Sequence, residues 1–155
     1  MLIQYKKNPT FVTIKNRIFL PIHTVKNPIG AYITVLQSIE STNNYAMAKL
    51  HEGMAKHGEG WFAMEQTAGK GQRGKSWASA PGQNIVFSVA LEPFLPPERQ
   101  FILSMAVALG CYDFFRAHAG EESSIKWPND IYWRDRKAGG ILIENQLKGN
   151  RWLYA

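Results

Sequence analysis

The sequence predicts an α/β (α+β) fold in which helices pack on a mixed β-sheet. Strand-like and helix-like segments follow one another along the chain, and this order is typical of helices layered on a sheet. The 155 residues are 45% hydrophobic and 12% aromatic, which is enough to bury the core of one ordinary domain. Intrinsic disorder is therefore a poor interpretation.

Three segments predict the strands of the first half of the chain. Residues 32–37 read YITVLQ, a β-branched and aromatic run typical of a strand. Residues 60–66 predict a second strand because their side chains alternate in character. Residues 84–92 are nearly all apolar, which predicts a strand in the centre of the sheet, buried on both faces.

Two helices are predicted. Residues 41–44 are all helix N-capping types, so the first helix begins there and is predicted to run to about Lys56. The second helix follows Pro96 and covers about residues 98–118; it is apolar around most of its circumference, which predicts deep burial. One face of the first helix is predicted to carry Ala46, Leu50 and Met54.

The remaining segments are shorter. Residues 11–22 predict a hairpin that turns near Lys15 and Asn16. The chain ends inside a strand-like run with no turn or cap after it, so we expect the fold to be incomplete at this end. Four short strands are predicted near the C-terminus, at residues 124–127, 131–133, 140–147 and from 151 onward.

Charge and composition narrow the partners. The net charge is +6 and the isoelectric point about 9.5, which suits a nucleic acid, an anionic membrane or an anionic small substrate. No apolar run is long enough for a membrane-spanning helix, and no secretory signal is visible, so we expect no membrane partner. The lone Cys111 fits a reducing compartment, so we expect the cytoplasm and a small packed thiol.

Residues 69–76 carry the sharpest local pattern. They match both G-x-x-x-x-G-K-S, the P-loop pattern, and G-x-G-x-x-G, the dinucleotide fingerprint. Both patterns need a helix immediately afterwards, because the phosphate lies at the helix N-terminus. Pro81 and Gly82 follow instead, and then a strand, so both interpretations are disfavoured.

A third interpretation keeps the loop as an anion site without the helix. Its glycines let backbone N–H groups approach an anion closely, and Lys70, Arg73 and Lys75 add positive charge. Glycine entropy and like-charge repulsion predict a mobile loop when no ligand is bound. The plain alternative is a flexible basic surface loop that binds nothing.

Four blocks of sequence, in order, resemble the biotin protein ligases. Residues 41–43 match that family's S-T-N, and Gln66 with residues 69–75 resembles its Q-x-x-G-R-G-R-x-G-R loop. Residues 126–130 are its K-W-P-N-D, and residues 136–144 resemble its R-K-x-x-G-I-L-x-E. The resemblance implies the catalytic-domain fold of biotin and lipoate ligases, which is similar to class II synthetases. It also implies a division into an N-terminal extension of unclear role (1–30) and a partial catalytic domain (31–155).

The resemblance implies a two-step reaction. The biotin carboxylate attacks the α-phosphate of ATP, with Mg²⁺, and gives biotinyl-5′-AMP and pyrophosphate; a lysine of a biotin carboxyl carrier protein domain then takes the biotin. Two anions meet in the first step, so positive charge at the reacting centre is the main requirement. No enzyme nucleophile is required, and none is convincing here.

The matched blocks imply roles for individual residues. Lys137 is expected at the biotin carboxylate and α-phosphate, Lys126 is expected to support the phosphates, and Asp130 is a candidate Mg²⁺ ligand. Trp77 is a candidate platform for adenine. The implied biotin-binding residues are Ser41, Thr42, Asn43, Gln66, Lys70, Gly71, Gln72 and Lys137. The implied ATP-binding residues are Gly69, Lys70, Gly71, Arg73, Gly74, Lys75, Trp77 and Asn129.

Two departures from the family pattern stand out. Gln72 replaces the central arginine of the loop and brings neither charge nor a planar fork, so we expect a less firm hold on biotinyl-5′-AMP. Nothing before residue 30 indicates a helix-turn-helix, so a repressor role is not expected. The family's second half of the catalytic sheet and small C-terminal β-domain are not recognisable, which leaves the activity of this polypeptide an open question.

Other functions stay open at this stage. A lipoate ligase or octanoyl transferase belongs to the same superfamily, although the K-W-P-N-D and R-K-x-x-G-I-L pair favours biotin. A nucleic-acid-binding module would interleave aromatic and basic residues along one face, whereas the basic residues here concentrate in the glycine loop, so no nucleic acid is expected. A non-catalytic fragment is a third alternative, and a homodimer is left open.

Overall fold

The computed structural model describes residues 28–155 and, before them, strands β1 (Thr13–Ile14) and β2 (Arg17–Ile18). These two strands pair antiparallel, Thr13 with Ile18 and Ile14 with Arg17, which confirms the predicted hairpin at these positions. The rest of the predicted hairpin, and with it most of the 1–30 extension, lies outside the described residues.

The described elements after residue 28 alternate between strands and two α-helices. Short 3₁₀ turns at Gln72–Gly74 and Pro97–Arg99 lie between them. In chain order the elements are β3 (Tyr32–Ile39), α1 (Thr42–His51), β4 (Glu59–Gln66), β5 (Gly69–Lys70), β6 (Ser76–Trp77), β7 (Val86–Val89), α2 (Gln100–Ala119), β8 (Ser123–Lys126), β9 (Asp130–Trp133), β10 (Arg136–Gly140), β11 (Gln146–Lys148) and β12 (Arg151–Tyr154).

The main sheet has the order β3-β4-β7 and is mixed, as predicted. β3 runs parallel to β4, with Val35 opposite Phe62, and β4 runs antiparallel to β7, with Phe62 opposite Phe87. The prediction of a central strand at 84–92 is wrong for the described residues, because β7 lies at the edge. Phe87, within β7, is 41% exposed, so the apolar character of this strand does not indicate burial on both faces.

Helix α1 begins where the capping residues predict and ends earlier than expected. Its predicted end at Lys56 is wrong: the helix stops at His51, and Gly53 adopts a left-handed backbone with φ +68°, a conformation that glycine tolerates and that ends helices. Ala46 and Leu50 are buried as predicted, but Met54 lies beyond the helix and is exposed.

The core lies between α1 and the main sheet. It consists of small and aromatic side chains, and the Tyr45 and Trp61 rings meet edge to face at 6.2 Å between centroids. This contact packs the first turns of α1 against the beginning of β4. The buried members of this cluster are Ala46, Leu50, Ala55, Trp61 and Ala90.

Helix α2 has the predicted position but not the predicted burial. It follows the turn Pro97–Arg99 and ends before Gly120, yet Ala108 is its one buried residue. Phe101 and Phe114 are exposed, and the free Cys111 is exposed rather than packed. Burial depends on what covers a helix, and hydropathy alone does not supply that information. Neither described helix is long and apolar enough to cross a membrane.

Two antiparallel units complete the described fold. Strands β8, β9 and β10 form a three-stranded sheet, and β11 pairs with β12. The predicted strand at 140–147 is wrong in its middle, because β10 ends at Gly140 and β11 begins only at Gln146. The other short strands near the C-terminus are confirmed within one or two residues.

Candidate functional site

The first part of the site is built around the N-terminus of α1. Ser41 has extended backbone angles, φ −154° and ψ 126°, and its hydroxyl accepts a hydrogen bond from the Asn44 N–H at 3.3 Å. This is the geometry of an N-cap residue. Ser41 is also 1% exposed, so the residue that caps the helix is fully buried.

A chain of hydrogen bonds joins Thr42 to its neighbours on two strands. Gln66 Oε1 accepts from the Thr42 N–H at 2.9 Å and from the Thr42 hydroxyl at 3.2 Å, and the Ser88 hydroxyl donates to Thr42 Oγ1 at 2.9 Å. Because a backbone N–H can only donate, the Gln66 oxygen faces Thr42 and the direction of the whole chain is fixed. The Gln66 amide N–H groups therefore point away from Thr42.

The same region contains a buried acceptor without a partner. Asn43 Oδ1 is inaccessible to solvent and accepts no hydrogen bond from any residue that the structure describes. Buried polar atoms in folded proteins nearly always have partners, so this oxygen is an acceptor whose donor is not among the described residues. We name Ser41, Thr42, Asn43, Gln66 and Ser88 the polar capping set.

The glycine-rich segment folds as a small hairpin, which we name the basic loop (residues 69–77). β5 and β6 pair Gly69 with Trp77 and Lys70 with Ser76, and the Gly71 N–H donates to the Lys75 carbonyl at 2.6 Å. A strand follows the loop and no helix does. The exclusion of the P-loop and dinucleotide interpretations is therefore confirmed.

Two positions in the basic loop depend on backbone shape. Arg73 adopts a left-handed backbone with φ +57°, a conformation that is uncommon for a residue with a Cβ atom. Gly69 tolerates no side chain, because a Cβ atom there would lie 2.2 Å from the Trp77 carbonyl oxygen and 2.3 Å from Gln66 Nε2. Gly69 is thus the point where the basic loop meets the polar capping set.

The three cations of the basic loop have different surroundings. Lys70 Nζ lies 2.6 Å from Glu144 Oε1, in the segment between β10 and β11. Arg73 and Lys75 are exposed, and neither forms an ion pair with another residue in the described part of the chain. Gln72 at the tip is exposed as well. The loop therefore presents two unpaired positive charges and one that is partly neutralised.

Lys137 lies at the centre of the second part of the site. Its Nζ is 2.8 Å from Asp130 Oδ1 and 5.1 Å from the centroid of the Trp77 ring. Asn129 Nδ2 donates to the same Asp130 oxygen at 3.0 Å, so the carboxylate and the ring hold the ammonium from two sides. A bulge in β10 after Lys137 breaks the register with β9, and such bulges re-aim side chains.

Gly140 closes this part of the site. A Cβ atom at this position would lie 3.1 Å from a Trp77 ring carbon and 3.4 Å from Lys137 Nζ, so glycine leaves the room that both side chains occupy. We name Asp130, Lys137, Trp77 and Gly140 the lysine site. It joins three sequence blocks that lie apart along the chain.

Lys126 is not brought into the lysine site. It pairs with Asp130 in the β8–β9 register, but its Nζ lies 5.8 Å from the centroid of the Tyr132 ring and forms no ion pair with a described residue. Its predicted support of phosphates stays a prediction. No group of three or more His, Cys, Asp or Glu residues in the described chain is arranged to hold a metal ion.

Two residues of the site were not identified from the sequence. Ser88 lies inside an apolar strand, and its partner Thr42 is 46 positions away. Glu144 was visible in a motif, but nothing local indicates its contact with Lys70, 74 positions away. The one signal available for Ser88 is its place as a polar residue within an otherwise apolar run.

Fold and site together define a class of protein. A mixed sheet presents buried polar groups at a helix N-terminus, beside a glycine-rich basic loop and a lysine held against an aromatic ring. Such a surface is suited to a small ligand with a polar head and to an anion that reacts next to it. Fold and site thus indicate a protein that binds a small polar ligand beside an anion.

Comparison with known proteins identifies a family. The model of the biotin/lipoate A/B protein ligase family matches residues 35–153. The chain is 35% identical over 115 residues to the bifunctional ligase/repressor BirA of Escherichia coli and 36% identical over 118 residues to the biotin–[acetyl-CoA-carboxylase] ligase of Paracoccus denitrificans. The chain therefore belongs to the biotin/lipoate A/B protein ligase family.

Solved structures support the fold. A biotin protein ligase from Leishmania major in complex with biotin superposes with a TM-score of 0.63 and 26% identity, covering 79% of this chain and 54% of that one. The ligase from Aquifex aeolicus in complex with biotin and ATP gives 0.61 and 25%, covering 79% and 50%. The predicted catalytic-domain fold is thus confirmed.

The chain is short beside its relatives. The Escherichia coli match covers 74% of this chain but 35% of the relative, and the Paracoccus denitrificans match covers 74% and 48%. The chain thus spans less than half the length of these curated relatives. The activity, substrates and partners of the whole protein therefore belong to the proposal that follows.

Proposed function

We propose that this chain carries the site of an ATP-dependent ligase that activates biotin as biotinyl-5′-AMP. In the second step the biotin passes to a lysine of a biotin carboxyl carrier protein domain. The names of the relatives from Paracoccus denitrificans and Mycobacterium tuberculosis, both biotin–[acetyl-CoA-carboxylase] ligases, support this assignment. So does the binding of biotin and ATP by the Aquifex aeolicus structure.

The observation that carries the proposal is the position of Lys137. Its ammonium is held 2.8 Å from Asp130 Oδ1 and 5.1 Å from the centre of the Trp77 ring. The three residues come from the R-K-A-G-G, K-W-P-N-D and basic-loop blocks. The resemblance to the biotin protein ligases implies that all three blocks serve one reaction. A lysine without a role in a site would not need contacts with residues from the other two blocks.

The first step needs positive charge where two anions meet. A carboxylate oxygen of biotin forms a bond to the α-phosphorus of ATP, the bond from that phosphorus to the bridging oxygen breaks, and pyrophosphate leaves with the electron pair. Lys137 is positioned to offset the charge on the carboxylate and the α-phosphate. Asp130 and Trp77 fix the position of its ammonium before the substrates arrive. The Asp130 carboxylate gives up part of this contact when an anion binds.

The polar capping set suits the ureido ring of biotin. That ring offers one carbonyl acceptor and two N–H donors on an otherwise apolar bicycle. The Gln66 amide N–H groups face away from Thr42, and Asn43 Oδ1 is a buried acceptor without a described partner. The set therefore offers both a donor and an acceptor to one small head group. Ser41 adds a hydroxyl that caps the helix and still has a hydrogen to donate.

The basic loop suits the phosphates and the adenylate. Arg73 and Lys75 are exposed and lack carboxylate partners among the described residues, and the loop glycines expose backbone N–H groups. The predicted contacts of Gly69 and Gly74 with ATP, of Gln72 with biotin, and of Lys70 and Gly71 with both ligands belong to this proposal. Trp77 is proposed as the platform for adenine, in addition to its contact with Lys137.

The predicted Mg²⁺ ion finds no site of its own. Asp130 is its one proposed protein ligand, and Asp130 Oδ1 already accepts from Lys137 and Asn129. A neighbouring ammonium disfavours a second cation at the same carboxylate. The described residues therefore do not fit a resident metal, and we assign Asp130 first to Lys137. Asn129, whose carbonyl accepts from the Ile141 N–H at 2.7 Å, stays a proposed nucleotide contact.

Location and assembly complete the proposal. We expect the protein to work in the cytoplasm. A chain with one cysteine forms no disulfide within itself, which fits a reducing compartment. The carrier-protein partner follows from the proposed second step. A homodimer remains an open alternative that a sedimentation measurement decides.

Biotin-dependent exchange of pyrophosphate into ATP tests the proposed function. We expect exchange with biotin and none with lipoate or octanoate. The Lys137→Gln variant should lose exchange, whereas Lys148→Gln, which removes an exposed lysine of β11 away from the site, should keep it. Exchange with lipoate instead would refute biotin as the substrate. Equal exchange in the two lysine variants would refute the role of Lys137.

A further inference from the structure

An ion pair connects the basic loop to a segment that follows the lysine site. Lys70 Nζ lies 2.6 Å from Glu144 Oε1, and the two side chains are 39% and 29% exposed. Lys70 ends β5, the first strand of the basic loop, while Glu144 lies in the irregular stretch between β10 and β11. Among the described residues, this ion pair connects the basic loop to the rest of the fold.

The pair changes what an anion meets at the loop. Arg73 and Lys75 are unpaired within the described chain, but the Lys70 charge is already opposed by a carboxylate. An anion that approaches Lys70 also approaches Glu144, whose like charge repels it. The Glu144 carboxylate is therefore placed to oppose an anion at Lys70 and to tether that residue to the stretch between β10 and β11.

We propose that Glu144 is a positioning residue that holds Lys70 in the ligand-free protein and competes with an anionic ligand for its ammonium. A phosphate-bearing ligand that reaches Lys70 displaces or weakens the pair. Glu144 thereby sets how firmly the basic loop holds its ligand and how readily it releases it. The anion is identified as a nucleotide phosphate on the basis of the proposed function, and to that extent the inference rests on it.

The affinity for inorganic pyrophosphate tests the competition. Isothermal titration calorimetry on the 155-residue chain should give binding about three- to tenfold tighter for Glu144→Gln than for the parent, the effect expected of one partly screened charge. Glu52→Gln removes an exposed Lys–Glu pair on α1 and should leave the affinity unchanged. Binding no tighter than in the parent would overturn the competition.

A second background separates the pair from a general effect of net charge. In a Lys70→Gln chain, the further change Glu144→Gln should give no gain, because the ammonium for which Glu144 competes is missing. A gain of the same size in both backgrounds would show that the carboxylate acts through its charge alone, and the proposed pairing would be wrong.

Hydrogen exchange without any ligand tests the holding role. Amide hydrogens of β5 and β6 should exchange several-fold faster in Glu144→Gln than in the parent, and at the parental rate in Glu52→Gln. Unchanged loop exchange in Glu144→Gln would overturn this role. Neither measurement requires biotin or turnover, so failure of the pyrophosphate exchange assay would refute the proposed function and leave this inference to be judged on its own results.

Discussion

The polar capping set and the basic loop lie side by side but are built in opposite ways. Ser41, Thr42 and Gln66 are 1%, 3% and 8% exposed; Thr42 donates to Gln66, and Ser41 accepts from the Asn44 N–H, all through neutral hydrogen bonds. Arg73 and Lys75 are exposed and have no described ion-pair partner. One region is buried and uncharged, and the other is charged and open to solvent.

This difference allows one site to bind two halves of a ligand by different interactions. Buried neutral hydrogen bonds discriminate shape and donor pattern, because an unmatched partner leaves a buried group unsatisfied. Exposed charges attract any anion, and salt screens them. We therefore expect selectivity for the acid substrate to come from the polar capping set, and retention of the adenylate to come from the basic loop.

The largest effect is expected at Lys137, which we propose acts at the reacting atoms. Replacing it by glutamine removes the charge that offsets the carboxylate and the α-phosphate, and should lower the rate of adenylation about 100- to 1,000-fold. The rate of biotinyl-5′-AMP formation in a single turnover measures it. A loss below about tenfold would contradict a charge-stabilising role.

A charge added to the basic loop should strengthen retention. Gln72→Arg supplies a charge-assisted contact worth about 1.5–3 kcal/mol, so release of biotinyl-5′-AMP should slow about 10- to 100-fold. Gln83→Arg adds the same charge at an exposed position outside the loop and serves as the control. Release as fast as in the parent would show that the tip of the loop does not contact the adenylate.

A substitution of a buried residue in the polar capping set should lower the biotin affinity and the free energy of unfolding but leave the pyrophosphate affinity unchanged. Thr42→Val removes the hydroxyl between Gln66 and Ser88, which should cost about 1–3 kcal/mol of unfolding free energy. Biotin affinity should fall about tenfold, because the Gln66 amide loses one of its two supports. Ser38→Ala, which removes an exposed bond to Glu65, should do neither. Unchanged biotin affinity in the valine variant would separate this set from the ligand.

The smallest effect distinguishes the two regions without mutation. Raising the salt concentration from about 0.05 to 0.5 M shortens the screening length severalfold. Pyrophosphate affinity should fall several-fold over this range, while the biotin affinity should change by less than about twofold. A parallel loss of both affinities would mean that charge, and not hydrogen bonding, dominates biotin binding.

The local parts of this account were accessible from the sequence. Ser41 was predicted to cap a helix, and it does, because capping depends on a few adjacent residues. The absence of a helix after residues 69–76 followed from proline and glycine, and it is confirmed. Strand positions were largely correct, since side-chain alternation and β-branching act locally.

Contacts between distant segments were not accessible. Lys137 was implied by a motif, but its distance to Asp130 depends on the β9–β10 register and its bulge. The exposure of α2 was missed because an apolar helix shows what it can bury and not what covers it. Ser88 and Glu144 were missed because their partners are 46 and 74 positions away.

The central claim is that Lys137 and the polar capping set form one site that makes biotinyl-5′-AMP. Mass spectrometry of a quenched reaction of the chain with biotin, lipoate and ATP together tests it most directly. We predict biotinyl-5′-AMP as the one acyl adenylate, and its absence from the Lys137→Gln reaction. Formation of lipoyl-5′-AMP in preference, or of biotinyl-5′-AMP at equal yield without Lys137, would contradict the account.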